Sequence, residues 1–325
     1  MSTSSTLDAL AITAEGVTKT FEPGAGVHDV DLTVERGSIV GLIGPSGSGK
    51  TTAVRLLTGL LAPDSGRLSV LGQNPLSFDA ETRRRLGYLP QETVLYPTLS
   101  IEENLAFVAA MHGLSGKQRR QRVKEVLEGV GLADTAHRRL VDSSGGMKRR
   151  AGLAAALVHG PDLVFLDEPT AGLDPILRQS VWAGFGDLRS AGATLVVTTQ
   201  YVGEAAMCDE IVLLSDGRVA AKGSPEALRR DAYGGEIIDV RFERSASRDT
   251  IQVVADRIGA TSFRGTGLGE VEFVVPDAGT ATAALHRAAA EADLTIVEIE
   301  RRYPEFDDVF VRIVDRHRAE NGVTV

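Results

Sequence analysis

Apolar residues in this chain gather either into short continuous runs or into stripes of helical period. Val40 and Leu42-Ile43 read as a buried strand, and Leu163-Val164-Phe165-Leu166 reads as a strand covered on both faces. A third run, residues 193–197, predicts another strand. Residues 52–61 follow a different period. Ala53, Leu56, Leu57 and Leu60 fall on one stripe, which predicts a helix directly after the first run. The Ala-rich stretch 151–158 is helical in pattern as well. Buried strands joined to helices in this way predict an α/β class for the first two thirds of the chain.

Beyond a helix over 224–230 and a hinge at Gly234-Gly235, the pattern changes. Residues 237–242 predict a strand, 248–258 a helix, 261–264 and 271–275 two strands, 279–292 a helix and 294–299 a last strand. Val240, Phe242, Phe273, Val275, Ile296 and Val297 supply its apolar strand positions. This β-α-β-β-α-β order is the ferredoxin-like arrangement. The chain therefore divides into a flexible tail over 1–10, a large domain over 11–234 and a smaller α+β domain over 235–325. No catalytic constellation occurs in the smaller domain, and His286 on its Ala-rich helix reads as a surface or partly buried residue. A regulatory or dimer-supporting role suits it.

The strand at Val40 runs into Gly44-Pro45-Ser46-Gly47-Ser48-Gly49-Lys50-Thr51, which fits G-x-x-x-x-G-K-[ST], with Thr52 continuing into the helix. Glycines there let backbone N–H groups wrap a phosphate. The helix N-terminus adds a positive dipole end, Lys50 adds a point charge, and the Thr51 hydroxyl can ligate Mg²⁺. A Gly-rich turn without a ligand is the competing reading, and the flanking strand and helix argue against it. The chain is expected to bind a nucleoside triphosphate.

The run at 163–166 ends in Asp167-Glu168, so two carboxylates emerge at a strand's C-terminal end. With a phosphate loop in the same chain, Asp167 is suited to hold Mg²⁺ and Glu168 to take a proton from the water attacking the γ-phosphate. Upstream lie Ser143-Ser144-Gly145-Gly146-Met147, opening the Ala-rich helix. A Ser hydroxyl and bare N–H groups at a helix N-terminus form an anion site.

Together these motifs resemble the ATP-binding-cassette (ABC) proteins, whose signature reads Leu-Ser-Gly-Gly-Gln. Ser144, Gly145 and Gly146 match it, while Ser143 replaces the Leu and Met147 the Gln. The resemblance implies a P-loop NTPase fold with a RecA-like core, a small antiparallel β subdomain and a helical subdomain over about 98–158. It also implies that the signature closes over the γ-phosphate bound by a second copy, and Met147 cannot hydrogen-bond there as Gln would. Gln91 matches the glutamine that reaches metal and water and senses the transport partner. Asp174, in Ala171-Gly172-Leu173-Asp174-Pro175, matches the dimer-contact loop, and Phe21 the aromatic ring that stacks on adenine. Most relatives carry His where this chain has Gln200. A Gln amide can donate to phosphate but carries neither proton nor charge. Drug-exporter ATPases of the daunorubicin-resistance type also tend to have Gln there, and the ending Pro304-Glu305-Phe306-Asp307-Asp308-Val309-Phe310 is similar to that of ABC-2-type exporter ATPases.

Composition narrows the alternatives. No run approaches the roughly 18 apolar residues of a membrane span, and the start lacks the pattern of a signal peptide. A single cysteine, Cys208, excludes internal disulfides and a cysteine metal cluster, and reads as a small core residue. A net charge of −9 argues against nucleic acid as a general partner. Between Met111 and Arg150, however, ten basic residues face four acidic ones. They read either as a solvated helical face or as a surface near anionic lipid or a permease loop. The expectation is an ATPase subunit on the cytoplasmic face of the membrane, working as a homodimer with ATP and Mg²⁺ under separate ABC-2-type permease subunits that export a drug, lipid or other hydrophobic compound. A DNA-repair ATPase would need a coiled-coil or zinc insertion, and translation-factor relatives usually carry two cassettes. A nucleotide-gated module that barely hydrolyses is kept open by Met147 and Gln200.

Overall fold

In a computed structural model, which describes residues 9–22, 25–92 and 94–320, the chain forms two units, one ending at Lys222 and the other beginning at Gly223. The expected hinge at Gly234-Gly235 lies further along, beyond the first helix of the second unit. Of the expected tail over 1–10, residues 1–8 lie outside the described residues.

The first unit opens with strands β1 (Leu10–Phe21) and β2 (Ala25–Glu35), followed by β3 (Ile39–Ile43), helix α1 (Lys50–Leu57) and β4 (Ser65–Val70). Strands β2-β1-β4 make an antiparallel three-stranded sheet. A short helix α2 (Ala80–Arg84) leads to β5 (Leu86–Leu89), then to the helices α3 (Ile101–Met111), α4 (Gly116–Gly129) and α5 (Gly145–Leu157). Strand β6 (Leu163–Asp167), helix α6 (Pro175–Ser190), and strands β7 (Thr194–Thr199), β8 (Glu210–Ser215) and β9 (Arg218–Gly223) complete it. The second sheet has the order β5-β6-β7-β3-β8-β9, and its pairings from β5 through β8 are parallel.

Strands β3, β6 and β7 are buried at every residue, as continuous apolar runs between covered faces must be. Their side chains share one core with β1, β2 and α1, through Ile12, Val34, Val54, Leu57 and Phe165. A separate core lies among α3, α4 and α5, built on Leu105, Val123, Leu127 and Ala154. Helix α3 starts in a reciprocal cap: Glu103 N donates to Ser100 Oγ (3.1 Å) and Ser100 N to Glu103 Oε2 (2.7 Å).

Two expectations need correction. The helix predicted over 52–61 stops at Leu57, because Gly59 takes a positive φ of 72° and turns the chain, so Leu60 is 66% exposed instead of continuing the stripe. The basic stretch is not one solvated face either. Arg122 donates to the carbonyls of Leu157 and Val158, Arg150 to those of Val130 and Gly131, and Arg149 is buried.

The second unit comprises α7 (Pro225–Tyr233), β10 (Glu236–Phe242), α8 (Arg248–Ile258), β11 (Ser262–Gly267), β12 (Glu270–Val275), α9 (Ala278–Glu291), β13 (Ile296–Arg302) and α10 (Phe306–Glu320). Its sheet order, β11-β12-β10-β13 with all pairs antiparallel, is that of the ferredoxin-like arrangement. Phe242, Phe273 and Val275 pack beneath Val254 of α8 and Leu285 of α9. The other flank carries a buried carboxylate, Glu272, paired with Arg264 (2.8 Å) and Arg302. His286 is exposed. Among the described residues, no helix is long and apolar enough to cross a membrane.

One packing detail makes stability depend on pH. The His159 ring stacks on His112 with centroids 3.7 Å apart, and its Nε2 sits 3.0 Å from the Leu86 carbonyl oxygen. Its Nδ1 is buried without a partner. Burial, with the neighbouring His112 adding to it, pushes the His159 imidazole down to about 4. The unfolded chain, with a His value of about 6.5, therefore binds more protons between those limits, and stability falls as pH drops from about 6.5 towards 4. The full shift corresponds to about 3 kcal/mol, reduced by partial solvent access to the ring. Thermal melts from pH 7.5 to 4.5 should show a steeper loss for the native chain than for His159→Gln. Parallel curves would show that His159 does not carry the effect.

Candidate functional site

Four segments leave neighbouring parallel strands at the same end of the sheet. Gln91 follows β5, Glu168 follows β6, Gln200 follows β7, and Gly44 follows β3. The register places Asp167 beside Thr198 and Ile43 beside Thr199. Motifs far apart in sequence thereby meet at the carboxyl edge of a parallel sheet, where α/β folds place ligands.

The loop from Gly44 to Gly49 has the backbone that its glycines permit. Gly47 and Gly49 take φ of 82° and 101°. A Cβ on Gly44 would stand 2.3 Å from the Leu214 carbonyl oxygen and 2.6 Å from Ser48 Oγ. Pro45 and Ser46 complete the turn, in which Ser48 N donates to the Pro45 carbonyl (3.2 Å). Lys50 is buried and donates from Nζ to the carbonyls of Gly44 (2.7 Å) and Pro45 (3.0 Å). Burial lowers the Lys50 ammonium from its ordinary range, while Glu168 and Asp167 act the other way. The ammonium is thus tied back to the loop carbonyls. Thr52 continues α1.

Asp167 is 1% exposed. Its Oδ1 accepts from Thr198 Oγ1 (2.5 Å) and from Thr51 Oγ1 (3.4 Å), and its Oδ2 is buried without a partner. An orphaned carboxylate oxygen next to a hydroxyl of the phosphate loop suits a hard cation that takes oxygen ligands. Glu168 takes a positive φ of 53°. That conformation is held by its N–H, which donates to the carbonyl (3.1 Å) and to Oγ1 (2.9 Å) of Thr198.

Arg149 and Thr198 were not singled out by the sequence reading. Arg149 donates to the Pro90 and Gln91 carbonyls (2.8 Å each) and to the carbonyl of Asp167. Burial lowers its guanidinium from the usual range, against the opposing pull of Asp167 and Glu168. It joins the Gln91 segment to the strand that ends in Asp167, leaving the Gln91 residue exposed. In sequence Arg149 was one of three consecutive basic residues, and nothing marked it as the buried one. Thr198 was a polar residue beside an apolar run, and only the register with Asp167 reveals its use.

The other candidates stand apart, and among the described residues none of their side chains is hydrogen-bonded to this cluster. Phe21 is 42% exposed at the end of β1, with Lys19 Nζ 5.9 Å from its ring centroid. Ser144 caps α5, accepting at Oγ from Met147 N (3.3 Å). A Cβ on Gly145 would meet open space, and one on Gly146 would stand 3.7 Å from Leu173 Cδ2. The Met147 side chain packs against the helical core. Asp174 caps α6, accepting at Oδ1 from Ile176 N and Leu177 N (3.0 Å each). Gln200 is exposed.

Comparisons with known proteins point to one family. The "ABC transporter" family profile matches residues 27–171. The chain is 36% identical over 309 residues to the daunorubicin resistance ATP-binding protein DrrA3 of Streptomyces coeruleorubidus, covering 95% of this chain and 97% of that one. It is 36% identical over 306 residues to the Nod factor export ATP-binding protein I of Cupriavidus metallidurans, covering 94% and 97% respectively. Among solved structures, a dimeric post-hydrolysis state of the ATP-binding cassette MJ0796 bound to ADP and Pi is similar, with a TM-score of 0.61 and 29% identity over 66% of this chain and 98% of that one.

Arg149 carries a direct test. Arg149→Leu removes the donor shared by three carbonyls and should lower unfolding stability by about 1–3 kcal/mol. Urea unfolding checks this, and an unchanged midpoint would mean that the carbonyls find other donors.

Proposed function

Because the chain belongs to the family of ABC transporter ATP-binding subunits, we propose that two copies of it sandwich two ATP molecules beneath an ABC-2-type permease and power export of a hydrophobic compound. It is an ATPase that acts as the nucleotide-binding subunit of a transporter with a separate permease. The observation that carries the catalytic reading is the convergence of Lys50, Thr51, Asp167 and Glu168 at one sheet edge, with Asp167 Oδ2 left open.

In this reading each nucleotide lies between residues 44–51 of one copy and Ser144, Gly145 and Gly146 of the other, its adenine on Phe21. N–H groups of the loop hold the phosphates and Lys50 swings from its loop carbonyls to the γ-phosphate. Glu168 takes the proton of the attacking water, and its constrained backbone aims the carboxylate. Gln200 donates to the γ-phosphate, and Asp174 lies at the contact between copies. Thr51, Asp167 and Gln91 would hold Mg²⁺, which supplies positive charge to the phosphate oxygens when bound. Nucleotide binding closes the pair, hydrolysis reopens it, and the segment around Gln91 passes the motion to the permease at the cytoplasmic face of the membrane. A module that binds nucleotide but hydrolyses weakly is the second reading, favoured by the inward packing of Met147 where the signature has a polar amide.

Turnover separates the two. Lys50→Ala should cut ATPase activity by about 10²–10³-fold, since one preorganised contact to the transferred group is lost. Glu168→Gln keeps shape and loses basicity. ATP should then bind, turnover should collapse, and the chain should elute as a dimer in ATP on size exclusion. Normal turnover in Glu168→Gln would remove Glu168 as the base, and a monomer would count against the sandwich.

Gln200 is tested by its lack of a titrating proton. Gln200→His should stay active and gain pH sensitivity between roughly pH 6 and 7.5, where an imidazole titrates. Gln200→Ala should lose most activity and keep ATP binding. Turnover profiles of the three forms with the permease present decide it, and wild-type activity of the alanine form would deny Gln200 a catalytic contact.

A further inference from the structure

Four residues after Gln200 comes a buried carboxylate that takes no part in the proposed catalysis. Glu204 sits in the short 3₁₀ turn Val202–Met207 and is 3% exposed. Its Oε1 accepts from Thr170 Oγ1 (2.7 Å) and lies 3.5 Å from Arg178 Nε, while Oε2 is buried without a partner. A carboxylate taken out of water is costly unless charge and hydrogen bonds compensate it. Its partners come from elsewhere in the chain. Thr170, 1% exposed, is two positions after Glu168, and Arg178 lies in the first turns of α6, its N–H donating to the Asp174 carbonyl (2.9 Å).

The same arginine also grips the other side. Its guanidinium lies over the Tyr201 ring, 4.1 Å from the centroid, and Tyr201 directly follows Gln200. The backbone is closed as well: Glu204 N donates to the Tyr201 carbonyl (3.0 Å), and Tyr201 N donates to Thr199 Oγ1 (3.0 Å). Cys208 Sγ is 3.9 Å from the Glu204 carbonyl oxygen, and burial pushes its thiol up, so it stays an inert packing group. A single polar knot thus joins the segment carrying Gln200 to the segment carrying Glu168 and Asp174.

We propose that Glu204, with Thr170 and Arg178, is a positioning device that sets Gln200 against Glu168. Glu204 touches no nucleotide. It acts through the Gln200 segment, and the proposal rests on the catalytic reading of Gln200 given above. A polar brace suits this task better than an apolar contact, because the Thr170 hydrogen bond is directional and the Arg178 charge holds the same oxygen at 3.5 Å. Misplacement of a reacting group by about 1 Å can cost 10²-fold in rate.

The test uses the full chain with its permease and MgATP. Glu204→Gln retains an acceptor for Thr170 and loses the charge that pairs with Arg178. Thr170→Val removes the hydroxyl at nearly constant volume and carries the comparison should Glu204→Gln fail to fold, which a thermal melt reports. Each should lower kcat by about 10–100-fold while KM and the Kd for ATP stay within about twofold. On a Gln200→Ala background each should lower kcat by less than about twofold further, because the group they position is gone. A knot that merely stabilises the fold would change melting without this split between kcat and KM, and its effect would add to that of Gln200→Ala. Wild-type kcat in both brace variants, or additive losses, would overturn the positioning role and leave the catalytic reading standing. Wild-type turnover in Gln200→Ala alone would overturn both.

Discussion

Burial of the Asp167 carboxylate is the constraint around which the first unit is arranged. A carboxylate at 1% exposure needs partners, and the sheet register supplies Thr198 from the next strand while the phosphate loop supplies Thr51. Arg149 ties down the backbone carbonyl of the same residue. Each of these partners is committed to something else: Thr198 to the Glu168 N–H, Arg149 to the Gln91 segment, Thr51 to the start of α1. One oxygen, Oδ2, stays unpaired in this crowded setting. Arg149 Nε is likewise buried without a partner, but it is a donor, so Oδ2 is the atom that an incoming cation would complete.

Much of the fold was legible because local patterns matched tertiary demands. Fully covered strands such as Leu163–Asp167 must be apolar throughout, and the sequence shows such runs without interruption. The second unit was legible to its strand order, since six elements in β-α-β-β-α-β sequence leave few ways to pair. Departures have local causes. The helix after the phosphate loop ends early because Gly59 turns the chain where the apolar stripe continues. Leu10, expected at the end of a flexible tail, instead starts β1 and pairs with Glu35 of β2, because Ala11, Ile12 and Ala14 beside it supply apolar positions to a core completed only by distant residues.

The candidate site was legible wherever a motif is continuous in sequence, as from Gly44 to Thr51 or at Asp167-Glu168. It was illegible wherever a residue's role depends on what lies across a strand or under a helix. Arg149 is indistinguishable by composition from Lys148 and Arg150, yet only Arg149 turns into the core. Thr198 becomes meaningful only through its register with Asp167. Glu204 stood as a lone acidic residue among Val202, Gly203, Ala205 and Ala206, and its partners Thr170 and Arg178 are both more than twenty positions away.

These hidden residues share a chemistry that bears on the two departures from the family's pattern. Met147 packs its side chain into the helical core, so the closing position of the signature stabilises its own subdomain in place of presenting a polar group outward. Gln200 is exposed and uncharged, so it has only hydrogen bonding and placement to offer. A neutral amide depends on geometry more than a charged imidazole does, because its interaction with phosphate weakens steeply once the hydrogen bond is misaligned. Tyr201, under the Arg178 guanidinium, directly follows Gln200, and the buried Glu204 comes four residues on from Gln200. Where the residue itself carries no charge, orientation has to come from its neighbours, and that is where this chain has buried one.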